Sequence, residues 1–194
     1  LAASAVEALA PRLRDVIGER PRILFVGINP GLRSAALGHH FAGSGNPFWR
    51  LLAAAKLTPR LLSFEEDGSL PDLGLAITNL CPRATRSSSE LSPGELRAGA
   101  RSLRRRIARA KPRIVALVGL TVAKALFGGK PRPGVSAMTL SGARVFVLPN
   151  PSGLNASYPG FAEKLVWFER LRATESRPAA ASRPASSRRR PSLP

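Results

Sequence analysis

The chain has 194 residues, with 30 Lys and Arg against 12 Asp and Glu, and a formal net charge of +18. That length accommodates one domain with a substantial core, and a 44% hydrophobic share with a mean hydropathy of −0.03 fits a soluble globular protein. No stretch nears the ~18 uninterrupted apolar residues of a membrane span, and a single cysteine, Cys81, excludes an internal disulfide, a thiolate-held iron–sulfur cluster and a cysteine zinc finger.

Residues 4–19 read as a helix, restarted at Pro11, within an N-terminal helical extension over 1–20. Residues 23–28 (ILFVGI) are a short apolar run with β-branched content, the pattern of a buried strand. The run ends in Asn29-Pro30-Gly31, and a Gly-rich loop is expected up to Gly45. Asn46 then caps a helix with Pro47 at its first position, and Phe48, Leu51, Leu52 and Ala55 fall on one helical face. Thr58-Pro59 starts a second short helix, and residues 65–68 (EEDG) read as an exposed loop. Residues 75–80 (LAITNL) form the second strand candidate. Ser92-Pro93-Gly94-Glu95 is a capping box opening a helix, with Leu96, Ala100, Leu103, Ile107 and Ala110 on its apolar face. Its arginines, Arg97, Arg101, Arg104, Arg105, Arg106 and Arg109, lie off that stripe and read as a solvated face. Residues 114–118 (IVALV) make the third strand, and residues 121–127 a helix. Residues 135–140 and 144–148 pair as a hairpin around Ser141-Gly142. A loop over 150–160 leads to a last helix marked by Phe161, Leu165, Phe168 and Leu171.

Strands alternating with helices predict an α/β fold with a mainly parallel sheet covered on both faces. In such open sheets ligands bind beyond the carboxyl ends of the strands. The loops after Ile28 and after Leu148 have that address.

The charge has structure of its own. Residues 173–194 hold five Arg and one Glu among Pro, Ser and Ala, cannot build a core, and are expected to be a disordered basic tail. The tail carries +4 of the +18 and leaves +14 on residues 1–172. It either holds DNA loosely or is an inert solvated extension. No carboxylate occurs from 96 through 162, or from 21 through 64. A surface so basic attracts polyanions, nucleic acid before membrane, since no amphipathic segment exposes the large apolar residues a membrane needs. The N-terminus lacks a basic head followed by an apolar run, so a cytoplasmic, nucleoid-associated protein is expected. The chain begins at Leu1 rather than Met, so a trimmed or misassigned start is an expectation.

Several chemistries are unsupported. Neither candidate loop holds a carboxylate pair. Residues 27–34 (GINPGLRS) lack the spacing of a phosphate-binding loop. Nothing resembles G-x-S-x-G. His39 and His40 are adjacent, without metal-ligand spacing, and suit a structural or DNA-contacting role. Two loops with Asn-Pro and Gly are left, Gly27-Ile28-Asn29-Pro30-Gly31-Leu32 and Asn150-Pro151-Ser152-Gly153-Leu154-Asn155. Either alone is a turn signal.

Together, residues 27–49 (GINPGLRSAALGHHFAGSGNPFW), 77–85 (ITNLCPRAT) and 148–156 (LPNPSGLNA) resemble the mismatch-specific uracil/thymine DNA glycosylases, the mismatch branch of the uracil-DNA glycosylase superfamily. The resemblance spans residues 22–172 and defines a glycosylase domain over 21–172. It implies a three-layer αβα sandwich around a short, mainly parallel sheet. It implies a monofunctional enzyme, active as a monomer without cofactor or metal. Such an enzyme flips uracil or a related damaged pyrimidine out of double-stranded DNA, preferably from G·U or G·T mismatches, and hydrolyses its N-glycosidic bond in base excision repair. By resemblance Asn29 is the catalytic residue. Ile28, Pro30, Ser34, Phe41, Asn79 and Asn150 line the base pocket. Ser152, Gly153, Leu154 and Asn155 meet the DNA, with Leu154 as the wedge filling the gap in the stack. From the residues alone, Phe41 is equally a core aromatic and Leu154 a loop anchor. Ser44 stands where many members have Pro, and Cys81 where many have Val. Alternative readings are a superfamily glycosylase for deaminated purines (hypoxanthine or xanthine) and a non-catalytic DNA-binding module. Only the enzymes need Asn29.

Overall fold

In the computed structural model, which describes residues 13–43, 45–152 and 157–176, five short strands form one sheet. They are β1 (Ile23–Gly27), β2 (Leu75–Asn79), β3 (Ile114–Val118), β4 (Gly134–Leu140) and β5 (Ala143–Leu148), in the order β2-β1-β3-β5-β4. The first four in that order run parallel, with Phe25 opposite both Ile77 and Ala116. Strand β4 pairs antiparallel with β5 through Ser141-Gly142, both at positive φ, as expected for that turn.

The helices are α1 (Leu32–Leu37), α2 (Phe48–Ala54), α3 (Pro93–Ala110), α4 (Leu120–Phe127) and α5 (Phe161–Glu175). Successive residues of a strand face opposite ways. Ile23 and Phe25 therefore pack with Phe48, Leu51, Leu52, Phe168 and Leu171 of α2 and α5. Leu24 and Val26 pack on the other face with Leu103, Ile107, Val122 and Leu126 of α3 and α4. Each such side chain, fully buried, contributes about 1.5–3 kcal/mol of transfer free energy. The result is the αβα sandwich that the alternation of elements predicts. The box at the start of α3 forms as expected. Ser92 Oγ accepts from the Glu95 N–H at 3.2 Å, and Glu95 Oε2 accepts from the Ser92 N–H at 2.8 Å, an arrangement worth about 1 kcal/mol.

Local expectations fail in five places. The described part of the expected 4–19 helix, residues 13–19, is not helical; Val16 exchanges both main-chain hydrogen bonds with Ile77 and so covers the outer edge of β2. The earlier residues of that helix lie outside the described residues. The Gly-rich loop contains α1, because Leu-Arg-Ser-Ala-Ala-Leu favours helix and Gly38 closes it in the left-handed conformation. Residues 58–60 form no helix, since the Thr58 hydroxyl donates to the Arg60 carbonyl within the loop. The expected exposed loop at 65–68 is part of a 3₁₀ segment, Phe64–Leu73, opened by a Ser63–Glu66 capping box. Asp67 in it is buried because it accepts hydrogen bonds from His39 and His40. Finally, α5 continues to Glu175, whose carboxylate accepts from Arg22 at 2.6 Å. The helix thus takes three residues from the expected tail, and residues 177–194 lie outside the described residues.

Candidate active site

A cleft of about 250 Å³ opens at the carboxyl end of the sheet. The ends of β1, β2 and β3 supply Gly27, Asn79 and Val118, and the segments after β1 and β5 supply Asn29 and Asn150. Ile28, Asn29, Pro30, Ser34, Phe41, Asn79, Asn150 and Ser152 all line this one cleft. A larger cleft of about 390 Å³ lies between β4 and α5, but its lining of Pro133, Gly134, Val135, Phe146, Trp167, Arg170, Ala173 and Thr174 offers little convergent polar chemistry. Gly153, Leu154 and Asn155 lie outside the described residues, as does Ser44.

The Asn29 amide is held by its nitrogen. Nδ2 donates to the Arg83 carbonyl at 2.9 Å, to Thr85 Oγ1 at 2.7 Å and to the Pro30 carbonyl at 3.2 Å. Carbonyl oxygens only accept, so an amide turned the other way would set oxygen against oxygen. The orientation is therefore fixed, and Oδ1 is the end left to act as an acceptor. The loop below is tied as tightly. The Leu80, Cys81 and Thr85 N–H groups donate to the carbonyls of Gly27, Ile28 and Pro30 at 2.8, 2.9 and 3.1 Å. Arg83 is anchored in turn by a bidentate pair to Glu95 at the first turn of α3. The Arg83 and Ser92 hydrogen bonds hold the Glu95 carboxyl down at about 2.

Asn79 stands across Gly27. A Cβ on Gly27 would collide with Asn79 Oδ1 and lie 3.6 Å from the Phe41 ring, so close approach requires glycine here. The Asn79 side-chain amide has no hydrogen-bond partner among the described residues. Phe41 has φ +51°, a costly conformation for a bulky residue. Its ring stacks on the buried Phe48 ring at 4.0 Å and 19°, so it is at once core aromatic and cleft wall. Ser34 is buried, and its Oγ accepts from the Ala42 N–H at 3.1 Å. Asn150 Oδ1 accepts from the Ser152 N–H at 3.0 Å, which turns the amide oxygen toward its own loop.

The cleft is free of carboxylates among its described lining residues and carries one guanidinium, Arg86. His40 also lines it, 2% exposed, with Nε2 on the Arg14 carbonyl at 2.9 Å and its main-chain N–H on Asp67. Burial pushes the His40 imidazole below its usual value, so the neutral ring donates through Nε2. His39 Nδ1 meets the other Asp67 oxygen at 3.0 Å. Both histidines thus have a structural place, one of the two roles expected of them.

A model of the uracil DNA glycosylase superfamily matches residues 15–172, which contain every described part of this cleft except Leu13. The chain belongs to the uracil DNA glycosylase superfamily. Its fold is similar to the solution structure of a proposed uracil DNA glycosylase from Methanosarcina acetivorans, with a TM-score of 0.54 and 18% identity over 84% of this chain and 98% of that one. Superfamily enzymes act on DNA, and among the described residues no helix is long and apolar enough to cross a membrane.

Sequence reasoning missed two residues that bond directly to residues of the cleft. Thr85, 3% exposed, is a side-chain partner of Asn29 from 56 residues away. It closes the ITNLCPRAT segment, but nothing in that string announces the pairing. Arg106, assigned to a solvated face, instead turns inward to Asp15, Thr78 and the Asn79 carbonyl. The reason is an unsatisfied main-chain acceptor at the sheet edge, which the helical stripe does not register.

Proposed function

We propose that this protein is a monofunctional DNA glycosylase that flips uracil, or a related damaged pyrimidine opposite guanine, out of duplex DNA and hydrolyses its N-glycosidic bond. The single observation that carries the reading is the Asn29 amide, locked by its nitrogen with its oxygen left to accept from a water. An amide takes up no proton at neutral pH, so Asn29 orients the water and is not a general base. The C1′–N1 bond breaks with its electron pair leaving on the base, and an oxocarbenium-like sugar develops. The water oxygen then bonds C1′, and its proton passes to solvent. With no carboxylate in the described lining, the barrier falls through positioning and through donors around the departing anion.

Phe41 stacks on the flipped base, Ile28 and Pro30 shape the pocket wall, and Ser34 tunes which base fits. The Asn79 amide reads the base edge. Asn150 lies near the pyrimidine oxygen, where an amide can donate a hydrogen bond but cannot become an imidazolium. Ser152 and the Gly153 amide meet phosphate, Leu154 fills the vacated stack, and Asn155 meets the widowed guanine. None of the described lining residues is a lysine, so no Schiff base forms and the product is an abasic site.

The test is incubation with duplexes carrying G·U, G·T, A·U or hypoxanthine and with single-stranded uracil, followed by alkaline cleavage of abasic sites. G·U is expected to be cut fastest. No scission on any substrate rejects the enzyme, and hypoxanthine cut faster than uracil rejects the pyrimidine assignment.

A further inference from the structure

Strand β2 is one of the two outer strands of the sheet, and its outward main-chain groups need partners. Ile77 finds both in Val16. The next outward carbonyl, that of Asn79, is met by a side chain, Arg106 Nη2, at 2.9 Å. The same guanidinium binds both Asp15 oxygens through Nη1, at 2.9 and 3.0 Å, and contacts Thr78 Oγ1. Thr78 donates to Asp15 as well. The other arginines of α3 are exposed, whereas only 15% of the Arg106 side chain is accessible. Its buried Nε has no partner among the described residues. A buried N–H left unpaired is a cost that a merely solvated arginine would avoid.

This fork holds the residue whose own side-chain amide is unpartnered in the cleft. We infer that Arg106, which lies outside the cleft, is a positioning residue for base recognition: it fixes the Asn79 carbonyl and thereby the place of the Asn79 amide. The inference rests on the proposed role of Asn79 as reader of the base. A lysine cannot reproduce it, because one ammonium lacks the planar fork that spans Asp15 and the Asn79 carbonyl together. If Arg106 acts only through Asn79, removing Asn79 makes Arg106 irrelevant to the rate.

The experiment is a double-mutant cycle in single-turnover cleavage of a G·U duplex at saturating enzyme, with wild type, Arg106→Met, Asn79→Ala and the double variant. Each single variant is expected to be about tenfold slower, and the double variant no slower than Asn79→Ala. Arg106→Lys, which keeps a charge beside Asp15, serves in the same cycle should Arg106→Met fail to fold, with thermal melting as the check. Multiplying losses in the double variant overturn the inference, as does an Arg106 variant that melts lower yet cleaves at the wild-type rate. An active wild type with an unimpaired Asn79→Ala variant also overturns it but leaves the glycosylase reading standing. A wild type inactive on every duplex rejects both.

Discussion

An amide that works in catalysis must have its orientation settled by its neighbours, and at Asn29 two carbonyls and a threonine hydroxyl settle it. Thr85→Ala removes one acceptor and loosens the amide, so single-turnover cleavage is expected to slow about tenfold. Thr85→Ser keeps the acceptor and is expected to restore most of the rate; equal losses in the two variants would contradict the role. His40 carries a second prediction at this scale. Burial holds its folded-state pKa below the ordinary imidazole value of about 6.5, so the unfolded chain binds more protons as pH falls below that value. The contribution of His40 is full above that value and declines as pH drops toward its folded pKa. Melting temperatures between pH 7.5 and 5.5 should therefore fall less steeply in His40→Gln, which can still donate to the Arg14 carbonyl. Parallel slopes would refute the assignment. The places of Asn29 and Asn150 in the cleft were legible in the sequence because each precedes a Pro just after a strand, whereas that of Phe41 came only from the resemblance. Those of Thr85 and Asp67 were not legible, because their partners lie 56 and 28 residues away and no local signal encodes the pairing.

At the level of elements, α3 decides how the site loop is held. Gly99 lets this helix approach the end of β2: a Cβ there would stand 2.6 Å from the Leu80 carbonyl oxygen and 3.1 Å from Cys81 Sγ. Alanine's helix preference, about 1 kcal/mol over glycine, is outweighed by that collision with main chain. Gly99→Ala is thus expected to destabilise by about 1–2 kcal/mol, measured by urea denaturation, and a stabilised variant would contradict the packing. The strands, α3 and the hairpin could be read from period, capping box and turn residues. The short α1 could not, since glycines on either side of it mask six helix-favouring residues. The segment over 13–19 was misread because a helical composition is overridden where an edge strand needs covering.

Across the whole molecule, the +18 charge divides between the domain and the residues beyond it, and the described cleft lining adds an arginine and no carboxylate. A phosphate-tracking surface follows, so affinity for undamaged duplex is expected to fall at least about tenfold between 50 and 200 mM salt; a flat salt titration would contradict it. Composition pointed to a polyanion, and the resemblance carried by residues 27–49, 77–85 and 148–156 pointed to a base rather than to phosphate alone. The central claim, an amide-directed hydrolysis, is tested most directly by Asn29→Ala. Single-turnover cleavage of a G·U duplex should slow by about 100-fold or more while duplex affinity stays near that of the wild type. Cleavage at the wild-type rate would contradict the account.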